Sequence, residues 1–363
     1  MDSYIKELKE IIAGVKPPDT VAARAAARRQ AVLAKPPGSL GRLEELSIRL
    51  AGITGRVTNH LDKKRLLVFC ADNGVVREGV SSAPSSVTLA QTLNLAHGKT
   101  GAAVLAAQFG VELLVCDVGV DAIISDPAVL DRKIAFGTGN IAEGPAMTRE
   151  QALQALLIGS HLAADAVKDG VQVLGAGEMG IGNTTTSSAV LAVLTGRTPS
   201  EVTGRGAGLT DEAFRNKHDV IQRAIDRNRP DPDDVPDVLA KVGGFDLAAM
   251  TGAFLGAASH RVPIVIDGLI SAVAALCAYR LCPPAREYMI PSHKSCEIGY
   301  TIAMEELGMK PLFDLEMRLG EGSGCPIAMM MLDASCAVIN RMATFEEAKI
   351  DDSYLDSIRA QSK

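Results

Sequence analysis

One carboxylate set among glycines is the most chemically suggestive feature of the sequence: Met317-Arg318-Leu319-Gly320-Glu321-Gly322-Ser323-Gly324. With no bulky neighbours on its own backbone, Glu321 can face a pocket and take a proton as a general base. The same spelling also suits a helix-capping turn with a solvated glutamate, because an apolar helix with Ile327, Met330 and Met331 follows. A second feature is Val173-Leu174-Gly175-Ala176-Gly177-Glu178-Met179-Gly180-Ile181-Gly182-Asn183-Thr184-Thr185, an apolar strand running into a glycine-rich loop and then a helix. Glycines let backbone approach a ligand, and free N–H groups at a helix start attract an anion, so phosphate binding is chemically reasonable.

Gly175, Gly177 and Gly180 also satisfy GxGxxG. A dinucleotide site requires a second strand ending in an acidic residue about twenty positions on, and Thr195-Gly196-Arg197-Thr198-Pro199-Ser200-Glu201 has turn chemistry instead. Glu178 inside the loop would oppose a pyrophosphate but suit ribose hydroxyls; a purely structural loop is the third reading. Further upstream, Ala71-Asp72-Asn73-Gly74-Val75 ends a strand. Glu78 to Pro84 then forms a small-residue loop that could shape a slot for a flat ring, with Gln91 as a polar fixer, or be a loop and nothing more. Pro291-Ser292-His293-Lys294-Ser295-Cys296-Glu297 invites a metal through His293, Cys296 and Glu297, but no second ligand pair of zinc-like spacing accompanies it.

The elements that must hold these residues are legible in the pattern. Apolar runs end in small or acidic residues at Arg65 to Ala71, Glu112 to Cys116, Val171 to Leu174 and Val262 to Ile266, each followed by a loop and an Ala/Leu-rich helical stretch. Strand, loop and helix repeated in this way predict an α/β fold: a parallel sheet with helices on both faces and its ligand at the carboxyl ends of the strands. Helices are predicted at Ser3 to Gly14, Ala22 to Leu33 and Leu40 to Ile53; a charged helix and surface excursion at Arg205 to Pro236; and a solvated helix from Thr344 to Lys363. The apolar stretch from Phe245 to Ala278 is broken by Thr251, Ser259, His260, Arg261, Pro263 and Asp267, so buried helix, strand and turn suit it better than a membrane span.

A net charge of −6 over 363 residues supplies no basic field for nucleic acid or an anionic membrane, which leaves small molecules as partners. The seven cysteines lack CxxC spacing and read as reduced core thiols. The opening residues have no continuous apolar stretch of the signal-peptide kind, and a cytoplasmic location is expected.

These segments, in this order, resemble the nicotinate-nucleotide–dimethylbenzimidazole phosphoribosyltransferase family. The similarity starts at Lys35-Pro36-Pro37-Gly38-Ser39-Leu40-Gly41-Arg42-Leu43-Glu44, takes in Gly137-Thr138-Gly139-Asn140-Ile141 and Lys241-Val242-Gly243-Gly244-Phe245-Asp246, and runs to about Phe345. The resemblance implies Glu321 as proton acceptor, with Arg318 and Leu319 beside it at the base pocket. It implies Glu178, Gly180, Gly206, Lys217, Asp267 and Ser295 at the ribose phosphate, and Ala83, Gln91, Met179 and Leu319 along the aromatic-base slot. It further implies a Rossmann-like large domain over 61–310, a small helical domain built from 1–60 and from 311–363, which also completes the active site, and a homodimer. Nicotinate mononucleotide and an aromatic base are the implied partners; no cofactor and no metal are implied. Three residues depart from the family pattern: Asn73 stands where many relatives have His, Ala83 where Tyr is frequent, and Cys325 where Ala is usual.

On this reading the ribose phosphate moves to dimethylbenzimidazole, giving α-ribazole phosphate and nicotinate for assembly of the cobalamin nucleotide loop. Alternatives keep the chemistry with another benzimidazole, a purine or a phenolic acceptor, as a homomer or a heteromer of paralogues. An NAD-dependent oxidoreductase and a non-catalytic binding paralogue are the readings from other classes.

Overall fold

The computed structural model describes residues 1–206 and 208–355. Six described strands pair in parallel throughout: β1 (Lys64–Ala71), β2 (Val111–Gly119), β3 (Val129–Asp131), β4 (Val173–Met179), β5 (Ile264–Ile266) and β6 (Met289–Pro291). Their order is β3-β2-β1-β4-β5-β6. The chain thus lays down one half of the sheet outward from β1, returns, and builds the other half outward from β4. The order reverses between β1 and β4, and in doubly wound sheets a crevice opens there at the carboxyl ends.

Strand β1 reads as a near-continuous apolar run because a parallel strand is covered on both faces; Leu66, Leu67, Val68 and Phe69 are all fully buried. Burying each such side chain stabilises the fold by about 1.5–3 kcal/mol. The stretch predicted as buried helix, strand and turn is the helix Phe245–Ser259, then β5, then the helix Leu269–Leu281. Strands β3 and β6 escape the pattern because three residues are too few to carry a periodicity. No helix among the described residues is long and apolar enough to cross a membrane. Of the seven free cysteines, Cys296 is exposed and the other six are buried.

The predicted helices are observed at Asp2–Gly14, Thr20–Val32 and Arg42–Thr54, the second capped by Asp19, whose carboxylate accepts from Val21 N and Ala22 N. The charged helix is Asp211–Asn228. The tail differs from expectation. Thr344 and Glu347 begin a capped turn, but Lys349 takes a positive φ and Ile350 N donates to Phe345 O, which closes the turn at once. A short 3₁₀ helix, Ser353–Leu355, follows, and residues 356–363 lie outside the described ones.

The chain divides into two compact units. The larger takes Met1–Lys16 and Lys63–Ala328, and so contains the sheet. Its first helix packs on the helices Arg149–Lys168 and Phe245–Ser259, and Tyr288 Oη donates to Lys16 O at 2.7 Å; these contacts place residues 1–16 with the sheet and not with the small helical unit. Residues 311–328 also belong to the larger unit. The smaller takes Pro17–Asp62 and the chain from Met329 onward. One buried cluster in it is Ala26, Ala51 and Ile339, flanked by Ile48 and Val57. Within it, Lys35 Nζ and Glu44 Oε1 form a shielded ion pair at 2.7 Å.

Candidate active site

Strand β4 delivers Glu178 and Met179 to the carboxyl edge of the sheet at the switch point. The strand runs further than the sequence predicted, so Gly175 and Gly177 lie inside the sheet and not in a loop. Their side chains are missing for a packing reason. A Cβ on Gly175 would fall 2.8 Å from Cys325 Cβ, and one on Gly177 would fall 2.6 Å from the Glu321 carbonyl oxygen. The segment from Glu321 to Cys325 therefore lies directly on β4. Two of the three glycines in the dinucleotide spelling serve this contact, which removes that reading.

Glu321 is buried and carries a positive φ of 61°, between Gly320 at 85° and Gly322 at 83°. A left-handed conformation strains a residue with a side chain by about 1–3 kcal/mol and persists only where its surroundings dictate it. Here they do. Glu321 N donates to Glu178 Oε1 at 3.3 Å, Gly322 N to Asp267 Oδ2 at 3.1 Å, and Gly324 N to Asp267 Oδ1 at 2.7 Å. The Glu321 side chain then reaches the first turn of the helix Gly101–Gln108, where its Oε2 accepts from Ala102 N at 3.3 Å. Glu321 is thus a shielded carboxylate, and the solvated capping turn is excluded.

Opposite stands the helix Asn183–Thr195, entered through Gly182 at φ 92°. The Asn183 amide donates to Glu178 Oε2 and, at 2.9 Å, to Asp246 Oδ2. Burial first, and then the neighbouring Asp246 charge, push the Glu178 pKa up to about 8, against the lowering effect of the Asn183 and Glu321 N–H bonds. Burial likewise raises Asp246 to about 6. Lys217, also buried, donates from Nζ to Thr184 Oγ1 at 2.9 Å and to Gly204 O at 3.4 Å. Its pKa is lowered to about 8 by burial, which the Glu297 carboxylate partly offsets.

A cleft of about 150 Å³ opens between these elements. Of the residues named from the sequence, it is lined by Glu178, Met179, Gly180, Gly206, Ser295, Arg318, Leu319 and Glu321. Four are set back from it. Lys217 stands behind Thr184, and the Asp267 carboxylate is engaged by the Glu321 loop. Gln91 accepts from Asn94 Nδ2 at 2.9 Å, and Ala83 N donates to Ser81 Oγ at 3.2 Å, so Ser81 is the part of that loop that reaches the cleft. Sequence reasoning did not assign Ser81, Asn183, Thr184, His293 or Glu297 to the cleft, which all five line. Asn183 and Thr184 had a signal, the helix start after the glycines. The three side chains weighed as metal ligands answer to different partners: His293 Nδ1 lies 3.1 Å from Ser292 Oγ, Cys296 is exposed, and Glu297 lies beside Gly204 and the Lys217 charge. A wider depression of about 1140 Å³ adjoins, sharing Gly206, Glu297, Arg318 and Leu319 and adding Arg205, Phe214 and Ile298.

A family model described as phosphoribosyltransferase matches residues 15–350. The chain is 49% identical to the nicotinate-nucleotide–dimethylbenzimidazole phosphoribosyltransferase of Clostridium perfringens over 352 residues, covering 97% of this chain and 98% of that one. To the protein of the same name from Ruminiclostridium cellulolyticum it is 51% identical over 343 residues, covering 94% and 97%. A solved structure of that name from Thermus thermophilus superimposes with a TM-score of 0.87 at 39% identity, covering 92% of this chain and all of the other.

Proposed function

We propose the activity from one premise: the chain belongs to the nicotinate-nucleotide–dimethylbenzimidazole phosphoribosyltransferase family. It moves the ribose phosphate of nicotinate mononucleotide onto dimethylbenzimidazole and releases nicotinate, a step in cobalamin nucleotide-loop assembly. The bond that breaks joins the anomeric carbon to the pyridinium nitrogen; its electron pair leaves with nicotinate, whose ring nitrogen becomes neutral. The bond that forms joins the same carbon to one nitrogen of the incoming base, from the opposite face, so β becomes α. The proton on the other nitrogen goes to Glu321.

The observation that carries this reading is the Glu321 carboxylate, buried yet lining the cleft, on a strained turn tied to Glu178 and Asp267. The start of the helix at Asn183, together with Gly206, Ser295 and Lys217 behind Thr184, suits the phosphate, because N–H groups and a cation stabilise a dianion. Met179, Arg318 and Leu319 flank the place for the flat base, and Glu178 faces the ribose, where it can answer growing positive charge. Ala83, set back from the cleft, supplies no argument for a different acceptor. Resemblance to the family supports a homodimer, which sedimentation at working concentrations tests.

The decisive experiment incubates the protein with nicotinate mononucleotide and dimethylbenzimidazole and follows nicotinate release and product mass. Glu321→Gln is expected to lower turnover by about 10²–10⁴-fold, the usual contribution of a positioned general base. Near wild-type turnover in that variant would remove Glu321 from the proton-transfer role.

A further inference from the structure

We propose that Asp246 is a positioning residue for the transfer step, acting through the Asn183 amide on Glu178 and through Glu178 on the backbone of Glu321. The inference rests on the transferase reading above and adds a residue that does not line the cleft.

The geometry starts at Asp246, which has no exposed surface. Its Oδ1 accepts from Leu247 N at 2.9 Å at the start of the helix Phe245–Ser259. That bond stays within its own helix. The second oxygen, Oδ2, has a different partner: it accepts from Asn183 Nδ2 at 2.9 Å, across from another element. Two glycines pack against this carboxylate. A Cβ on Gly244 would fall 2.5 Å from Asp246 Oδ1, and one on Gly180 would fall 2.4 Å from the Ala71 carbonyl oxygen and 2.8 Å from Asp246 Oδ2. Gly180 is therefore pressed first by the β1 backbone and then by Asp246.

What Asp246 does there follows from the donor and acceptor inventory. An asparagine side chain offers an NH₂ group at one end and an acceptor oxygen at the other, whereas an ionised carboxylate can only accept. Asp246 therefore demands the NH₂ end of Asn183. With that end turned inward, the same nitrogen also serves Glu178 Oε2. Turned the other way, the amide would set its oxygen against both carboxylates. Glu178, held at Oε2, has Oε1 in place to accept from Glu321 N. The order of dependence is Asp246, Asn183, Glu178, Glu321, and only the last three meet the cleft.

Charge makes the chain testable. Glu178 is faced by Asp246, by Asp267 at the end of β5, by Glu321 from the loop laid on β4, and by Cys70 of β1, while Asp72 faces Asp246. The Asp246 charge raises the Glu178 pKa and the Asn183 hydrogen bond lowers it. Asp246→Asn, which keeps the shape and removes the charge, must shift Glu178 ionisation to lower pH. Asn183→Ala, which leaves the bond from Leu247 N to Asp246 intact, must shift it to higher pH.

The test measures kcat and donor KM for nicotinate mononucleotide across pH in both variants, with circular dichroism to establish folding. Each variant is expected to lower kcat at least about tenfold, because small misplacements of catalytic groups are costly, with donor KM changed far less. The acid limb of kcat, where Glu178 gains its charge, should move down in pH for Asp246→Asn and up for Asn183→Ala. The double variant should lose no more than Asn183→Ala alone, because both act through one amide. Should Asp246→Asn fail to fold, the upward shift in Asn183→Ala, which lacks the amide alone, still decides. Wild-type kcat in Asp246→Asn, limbs moving the same way, or additive losses would overturn the inference while leaving the transferase reading intact. No nicotinate release by the wild-type protein would overturn that reading, and this inference with it.

Discussion

Burial takes the Glu178 carboxyl out of water and sets it beside the Asp246 carboxylate, and both effects favour the protonated form, with a pKa of about 8 against an ordinary 4.5. The folded value lies above the unfolded one, so the contribution of Glu178 to stability is fully present below about pH 4.5 and is lost as pH rises through about 8. Glu178→Gln removes that dependence. Thermal melts of the two proteins should therefore diverge across this window, with the wild type losing ground toward alkaline pH. Lys217 moves the opposite way, with its pKa lowered to about 8 by burial. Its charge is present below that value and disappears above it. Donor KM should therefore rise as pH climbs through about 8, and Lys217→Arg, whose guanidinium stays charged, should flatten the rise. Comparing the two variants separates the Glu178 and Lys217 titrations, which fall at the same pH.

Elements impose a different kind of constraint, because the Glu321 loop can sit where it does only if β4 leaves space. A methyl on Gly177 would meet the Glu321 and Gly322 backbone at 2.6–2.9 Å. Gly177→Ala should destabilise the protein by about 1–3 kcal/mol, as overpacking does, and should also depress kcat, since the loop must shift. Denaturant melts and turnover on one preparation test both halves. Thr148 offers the contrast. It starts the helix Arg149–Lys168 with a reciprocal capping box, accepting from Gln151 N at 3.2 Å while Thr148 N donates to Gln151 Oε1 at 2.9 Å. Thr148→Ala should lower stability by about 1 kcal/mol and leave turnover unchanged. The helix start was open to sequence reasoning, because a cap is a local pattern; the reason for Gly177 was not, because its neighbour lies more than a hundred residues on.

At the scale of the whole molecule, the smaller unit carries a buried cluster of its own. Ile339 is fully buried there with Ala26 and Ala51 as its buried neighbours. Ile339→Ala should therefore destabilise the smaller unit by about 2–5 kcal/mol. Hydrogen exchange should quicken in the helices Thr20–Val32 and Arg42–Thr54 while β1 and β4 keep their protection, since cooperative units open separately. Equal acceleration in all four segments would mean that the chain opens as one.

The sequence by itself determined what depends on neighbours along the chain: the main strands and helices, their parallel arrangement, and the carboxylate and glycine motifs from which Glu321 and Glu178 were named. Periodicity, caps and turn residues act over a few positions, so they can be read without a fold. Only the tertiary structure decided which glycines are empty because another segment presses on them, and that Asp267 braces a loop while Lys217 stands behind Thr184. It also revealed that Asp246, an acidic residue inside an apolar stretch, shares an amide with Glu178. These are contacts between segments far apart in sequence, where distance and burial, and not residue order, set which groups meet and how readily each gives up its proton.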